Sequence, residues 1–220
     1  MAIPKLPSYQ ITDDILPTEN RVSWSLNSGS AVLLIHDMQQ YFLNFYDQKA
    51  SPVPQVIKQI QRLKKICKAQ GIPVVYTAQP GNQSADHRAL LSDFWGPGLG
   101  DDPGLTKVVD ALAPDADDIV LTKWRYSAFQ RSDLLQRMQH WQRNQLIVAG
   151  VYTHIGCQQT VVDAFMNDQQ AFLIADATAD FSLAEHKYAL QYVATRAGRV
   201  ITSEQAFKQL TVAEGECINV

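Results

Sequence analysis

Four short apolar runs in this sequence end on side chains that can move a proton or hold an anion. AVLLI (31–35) runs into His36 and Asp37, and IPVVYTA (72–78) closes on Thr77 and Ala78 before Gln79. DIVLTK (118–123) delivers Lys123, then Trp124, Arg125 and Tyr126, and QLIVAGV (145–151) leads into Tyr152, Thr153 and His154. Brought together, these are an acid, an amide, cations and a phenol. An acid and a phenol beside a cation are types that can exchange a proton or hold a charge. Whether they meet depends on the elements that carry them.

Those elements alternate. The four runs, with AFLIAD (171–176) and GRVIT (198–202), read as strands. Continuous apolar runs of this kind are buried on both faces, as in parallel sheets. Between them lie helical patterns. Over 54–70, Val56, Ile60, Leu63 and Cys67 share one face, and Gly71 ends the pattern. Ser132 is read as the N-cap of DLLQRMQHWQ, and Ser182 to Glu185 has capping-box spacing. Residues 105–112 and 154–167 are read as further helices. Strand–helix alternation implies βαβ units. The expected fold is α/β, one doubly wound domain with a mainly parallel six-stranded sheet and helices on both faces. In such a sheet the ligand crevice lies beyond the strands' carboxyl ends, where the four polar sets would sit.

The balance of 46% apolar and 19% charged residues over 220 positions is that of a globular chain. A formal charge of -3 argues against nucleic-acid binding. No apolar run approaches the roughly 20 residues that span a bilayer, and the N-terminus lacks a signal peptide's apolar core. A cytoplasmic protein without membrane contact is expected. Cys67, Cys157 and Cys217 lack CxxC spacing, the five histidines form no HExxH, and the GxGxxG and P-loop fingerprints are missing. No metal or cofactor is expected. Residues 79–104, rich in Gly and Pro and carrying Arg88 and Trp95, are read as an ordered lid in which LLSDFW is buried.

The stretches AVLLIHDMQQYF, VVYTAQPGNQSADHRALLSDFWGPG, LTKWRYSAF and GVYTHIGC, in this order, resemble the isochorismatase family. They are most similar to its catecholate-siderophore branch, from MAIPKL to about Phe207. The resemblance implies hydrolysis of isochorismate to pyruvate and 2,3-dihydro-2,3-dihydroxybenzoate, and a homodimer. Amidases of the wider superfamily use an Asp–Lys–Cys triad. Asp37 and Lys123 match its first two members, but Gly156 stands at the nucleophile's position and Cys157 lies one residue on. A helix turns about 100° per residue, so that thiol points elsewhere and thioester chemistry is not available. The metal-binding histidines of nicotinamidases are also missing. Thr153 departs from the alanine common in this motif.

Vinyl-ether hydrolysis needs a proton delivered to the terminal methylene carbon, and the resemblance makes Asp37 the acid. Lys123 would anchor substrate or hold the carboxylate afterwards, and Gly156 would let an anion approach a backbone N–H near a helix start. Arg88, Gln79 and Tyr152 are the expected carboxylate donors. Phe42, Trp95, Tyr126 and Ile155 are the expected pocket walls, and the resemblance implies a cis Val151–Tyr152 peptide.

Plainer uses exist for each. Asp37 could cap a helix, Arg88 could pair at the surface, Phe42 and Tyr126 could be core, and His154 is read as capping or packing. Two other functions compete: hydrolysis of 2-amino-2-deoxyisochorismate in a phenazine pathway, and a scaffold role docking aryl carrier or synthetase proteins. After Phe207 only KQLTVAEGECINV remains. The reading is therefore one isochorismatase domain over 1–220, without an aryl carrier domain.

Overall fold

The structure is a computed structural model, and it describes residues 3–212. Residues 1–2 and 213–220, with Cys217, lie outside the described residues. Six strands form one sheet in the order β3-β2-β1-β4-β5-β6, and every neighbouring pair is parallel. They are β1 (Ala31–His36), β2 (Val74–Ala78), β3 (Ile119–Thr122), β4 (Gln145–Val151), β5 (Gln170–Ala179) and β6 (Arg199–Ile201). β1 and β4 are buried along their whole length, which is why both read as unbroken apolar runs. β5 runs past the expected 171–176, and its pairing with β4 shifts register between Val148 and Gly150.

The chain moves from β1 outward to β2 and β3, then returns to lay β4 on the other side of β1. That reversal is the topological switch point, and the β1 and β4 carboxyl ends flank it. Helix α1 (Gln40–Leu43) follows β1. Helix α2 (Val53–Ala69) buries Val56, Ile60, Leu63 and Cys67, as its spacing predicts. It packs on the sheet beside α9 (Ser203–Val212), while α7 (Gln158–Met166) and α8 (Leu183–Arg196) pack on β5 and on each other. Ser182 caps α8, accepting from the Glu185 N–H at 3.2 Å and donating to the Glu185 carboxylate at 2.8 Å.

Local departures from expectation have local causes. Residues 105–112 are not one helix. They split into α5 (Pro103–Thr106) and a 3-10 turn at Asp110–Leu112, because the intervening backbone bonds to the stretch after β1. Gln40 N–H donates to the Lys107 carbonyl (2.9 Å) and Val109 N–H to the Met38 carbonyl (3.0 Å). The helix after Ser132 is shorter than expected, α6 (Leu134–His140); Asp133 precedes it without a side-chain cap bond, while the Ser132 hydroxyl accepts from the Leu134 N–H at 3.3 Å, as a cap does, and donates back to the Ala128 carbonyl at 2.5 Å. The expected helix at 154–167 opens as a π-helical turn, Thr153–Cys157, before α7 begins.

The lid is ordered, through α3 (Ala85–Arg88) and α4 (Leu91–Trp95), but it is not buried as expected. Leu90 is 75% and Phe94 64% exposed. The segment is a single layer outside the sheet, so only the side chains turned inward, Arg88 and Leu99, are covered.

Candidate active site

Asp37 follows β1 directly, with a positive φ of 47° that turns its side chain back over the sheet's carboxyl edge. Its carboxylate is held from two sides. Thr77, at the end of β2, donates to Oδ1 at 2.6 Å and accepts from the Asp37 backbone N–H at 3.1 Å. Lys123, just past β3, donates to Oδ2 at 3.0 Å. All three are buried, and the strand order β3-β2-β1 sets them side by side. A helix-cap role for Asp37 is not seen, since Gln39 is the N-cap of α1.

These residues form the floor of a narrow, largely apolar cleft. All ten residues singled out in the sequence line it: Asp37, Lys123 and Gly156 below, Phe42, Tyr152, Ile155 and Tyr126 on the walls, and Gln79, Arg88 and Trp95 toward the lid. The Val151–Tyr152 peptide is cis.

One expected donor is spent elsewhere. The Tyr152 hydroxyl donates to the Phe42 carbonyl at 2.7 Å, and burial pushes its pKa well above the ordinary phenol value. Tyr152 therefore gives the cleft its ring face, at 5.9 Å from the Phe42 ring and 4.7 Å from Phe181. Arg88 is the opposite case. Its Nε donates to the Gly96 carbonyl and Nη2 to the Trp95 carbonyl at 3.5 Å, and among the described residues it meets no carboxylate. The guanidinium lies so close over Gly98 (φ 79°) that a Cβ there would stand 2.3 Å from Nη1. It is a buried cation facing a cleft, as an anion-binding group should be.

Sequence reasoning passed over Tyr41 and Phe181, which complete the aromatic wall, and it gave no role to His36, delivered by β1, whose buried ring lies between β1 and the π-helical turn. Only its place beside Asp37 could have flagged His36; nothing in the sequence flags Phe181. Arg125 was among the residues delivered after β3, and it reaches the cleft while donating to the His87 carbonyl at 2.8 Å. His154 packs as expected, 5.2 Å from the Phe181 ring, and in addition bonds Asp180 through its ring and its backbone N–H.

Neither described cysteine is a nucleophile candidate. Cys67 and Cys157 are fully buried, and burial holds both thiols above their usual pKa, Cys67 at about 12. Cys157 is not on the cleft wall, and the residue that is, Gly156, has no side chain.

The fold has a solved counterpart. A cysteine hydrolase from Pseudomonas syringae pv. phaseolicola superimposes with a TM-score of 0.78 at 22% identity, over 89% of this chain and 99% of that one. The isochorismatase domain model then matches residues 31–205, and the chain belongs to the isochorismatase family. It is 53% identical to enterobactin synthase component B of Escherichia coli over 93% of this chain and 72% of the relative. It is 50% identical to the isochorismatase of Bacillus subtilis over 98% and 69%. With the phenazine biosynthesis protein PhzD1 of Pseudomonas aeruginosa it shares 47% over 94% and 99%.

Proposed function

We propose that this chain hydrolyses the enolpyruvyl ether of isochorismate to pyruvate and 2,3-dihydro-2,3-dihydroxybenzoate, in siderophore biosynthesis, with Asp37 as general acid and no covalent intermediate. The observation that carries the reading is the pairing of Asp37 and Lys123 on a cleft floor where Gly156 offers no nucleophile. The names of the relatives at 53% and 50% identity favour the same chemistry.

Asp37 enters the step protonated and delivers its proton to the terminal methylene carbon. The resulting oxocarbenium ion takes up water, which loses a proton to solvent, and the neutral hemiketal collapses to pyruvate and the ring alcohol. Lys123 and Thr77 then hold the Asp37 carboxylate. Arg88 takes one substrate carboxylate in a bidentate pair and Gln79 offers a neutral donor, while Phe42, Trp95, Tyr126 and Ile155 enclose the ring.

Pyruvate release from isochorismate tests this, beside Asp37→Asn and a nicotinamide control assayed for ammonia. The expected result is pyruvate without ammonia, with kcat lowered about 10²–10⁴-fold in Asp37→Asn, the usual worth of general-acid catalysis. Near-normal turnover by that variant would remove Asp37 as the acid.

The similarity to PhzD1 over 99% of its length favours one alternative, in which the ring carries an amine, as in 2-amino-2-deoxyisochorismate. Comparing kcat/KM for the two substrates separates them. The same reading makes the protein a cytoplasmic homodimer whose outer surface docks aryl carrier or synthetase proteins. Among the described residues no helix is long and apolar enough to cross a membrane.

A further inference from the structure

Gly156 faces an imidazole rather than empty space. A Cβ built on it would stand 2.1 Å from His36 Cε1, 2.7 Å from Nε2 and 3.0 Å from Nδ1. Contacts that short require something to move, and the ring is poorly placed to do so. His36 is 1% exposed on the last residue of β1, a strand clamped between β2 and β4. Its Nδ1–H donates to the Val151 carbonyl at 2.8 Å, and Nε2 lies 3.3 Å from the Tyr126 carbonyl. Nδ1 also lies 3.6 Å from Asp37 Oδ2. A displaced ring would leave the Val151 carbonyl without its donor and remove the wall behind the Asp37 carboxylate.

We infer that His36 and Gly156 act as one steric unit that sets the reaction class: the imidazole fills the volume beside Asp37 into which any side chain at position 156, a nucleophilic thiol included, would project. His36 is thus a positioning and specificity-determining residue. The inference rests on the vinyl-ether reading of the cleft for its functional meaning, but its geometry stands without a substrate. Placing a cysteine at 156 is not enough to create a thiol site; residue 36 must shrink with it.

The test is a double-mutant cycle on the full chain: wild type, His36→Val, Gly156→Ala and the double variant. Gly156→Ala alone is expected to lower Tm by about 3–10 °C, the usual scale of an overpacked core in a domain of this size. It is also expected to lower kcat for pyruvate release more than tenfold with a smaller change in KM. In the double variant the methyl group has room, and its Tm is expected to lie above that of Gly156→Ala alone. Native alkylation by iodoacetamide, in which a thiolate sulfur displaces iodide and the thiol proton goes to buffer, gives the second reading. The thiol introduced by Gly156→Cys should react at least tenfold faster beside His36→Val than beside histidine. Additive Tm losses, a double variant no more stable than Gly156→Ala, or equal alkylation rates would overturn the inference. Because the Tm cycle needs no substrate, failure of the proposed reaction and failure of this coupling are told apart.

Discussion

Arg88 is held by two carbonyl oxygens of its own lid and, among the described residues, by no carboxylate. The geometry of a planar fork is what the cleft gains from it, and lysine cannot reproduce that fork. Arg88→Lys is therefore expected to raise KM for isochorismate about tenfold or more, the loss of one charge-assisted bond of about 1.5–3 kcal/mol, while kcat changes less. Steady-state pyruvate release measures both, and an unchanged KM would take Arg88 out of substrate binding. Gly98 is the residue to watch beside it. Any side chain there meets the guanidinium at 2.3 Å, so Gly98→Ala should reproduce the KM effect without touching a charge.

At the scale of elements, the lid is latched to the stretch after β3. Trp95 Nε1 donates to the Tyr126 hydroxyl at 2.8 Å, Arg125 donates to the His87 carbonyl at 2.8 Å, and the His87 and Trp124 rings lie 4.8 Å apart. Tyr126, readable from sequence as wall or core, is a wall whose hydroxyl ties down α4. Removing that one bond in Tyr126→Phe should cost the closed lid about 1 kcal/mol. Amide hydrogen exchange over residues 85–95 should then speed up several-fold, with the sheet amides unchanged. Equal exchange in the two proteins would mean the latch lies in the Arg125 contact instead.

For the whole molecule, two buried histidines make acid a destabiliser. Burial lowers His36 to about 4, with the Asp37 charge pulling the other way, and lowers His186 to about 3. Both values lie below the unfolded value of about 6.5. Between pH 6.5 and about 4 the unfolded chain binds protons that the native chain refuses. Stability is thus fully present above pH 6.5 and falls as pH drops, by about 1.4 kcal/mol per pH unit for each histidine. Urea unfolding at pH 7 and pH 5 reads this as a fall in midpoint. His186 sits between the Tyr9 hydroxyl and the Thr178 hydroxyl, each 3.0 Å away. His186→Gln keeps a neutral polar group there and should shrink the fall; an undiminished fall would assign the acid sensitivity to other groups.

The sequence by itself determined the strands and their order of chemistry, because a strand buried on both faces has no choice but a continuous apolar run, and each run stops where polar residues begin. It also determined the α8 cap, a device confined to Ser182 and Glu185. The lid's helices and the split at 105–112 were set by packing, since each depends on which distant carbonyl or N–H the backbone finds. The same holds in the cleft. Asp37, Lys123 and Arg88 could be chosen as chemical types in a resembling motif, but the commitment of the Tyr152 hydroxyl to the Phe42 carbonyl could not. Nor could the meeting of His36 with Gly156, residues 120 apart in the chain that touch only because β4 lies against β1. Side-chain type is local; who occupies a given volume is settled by packing.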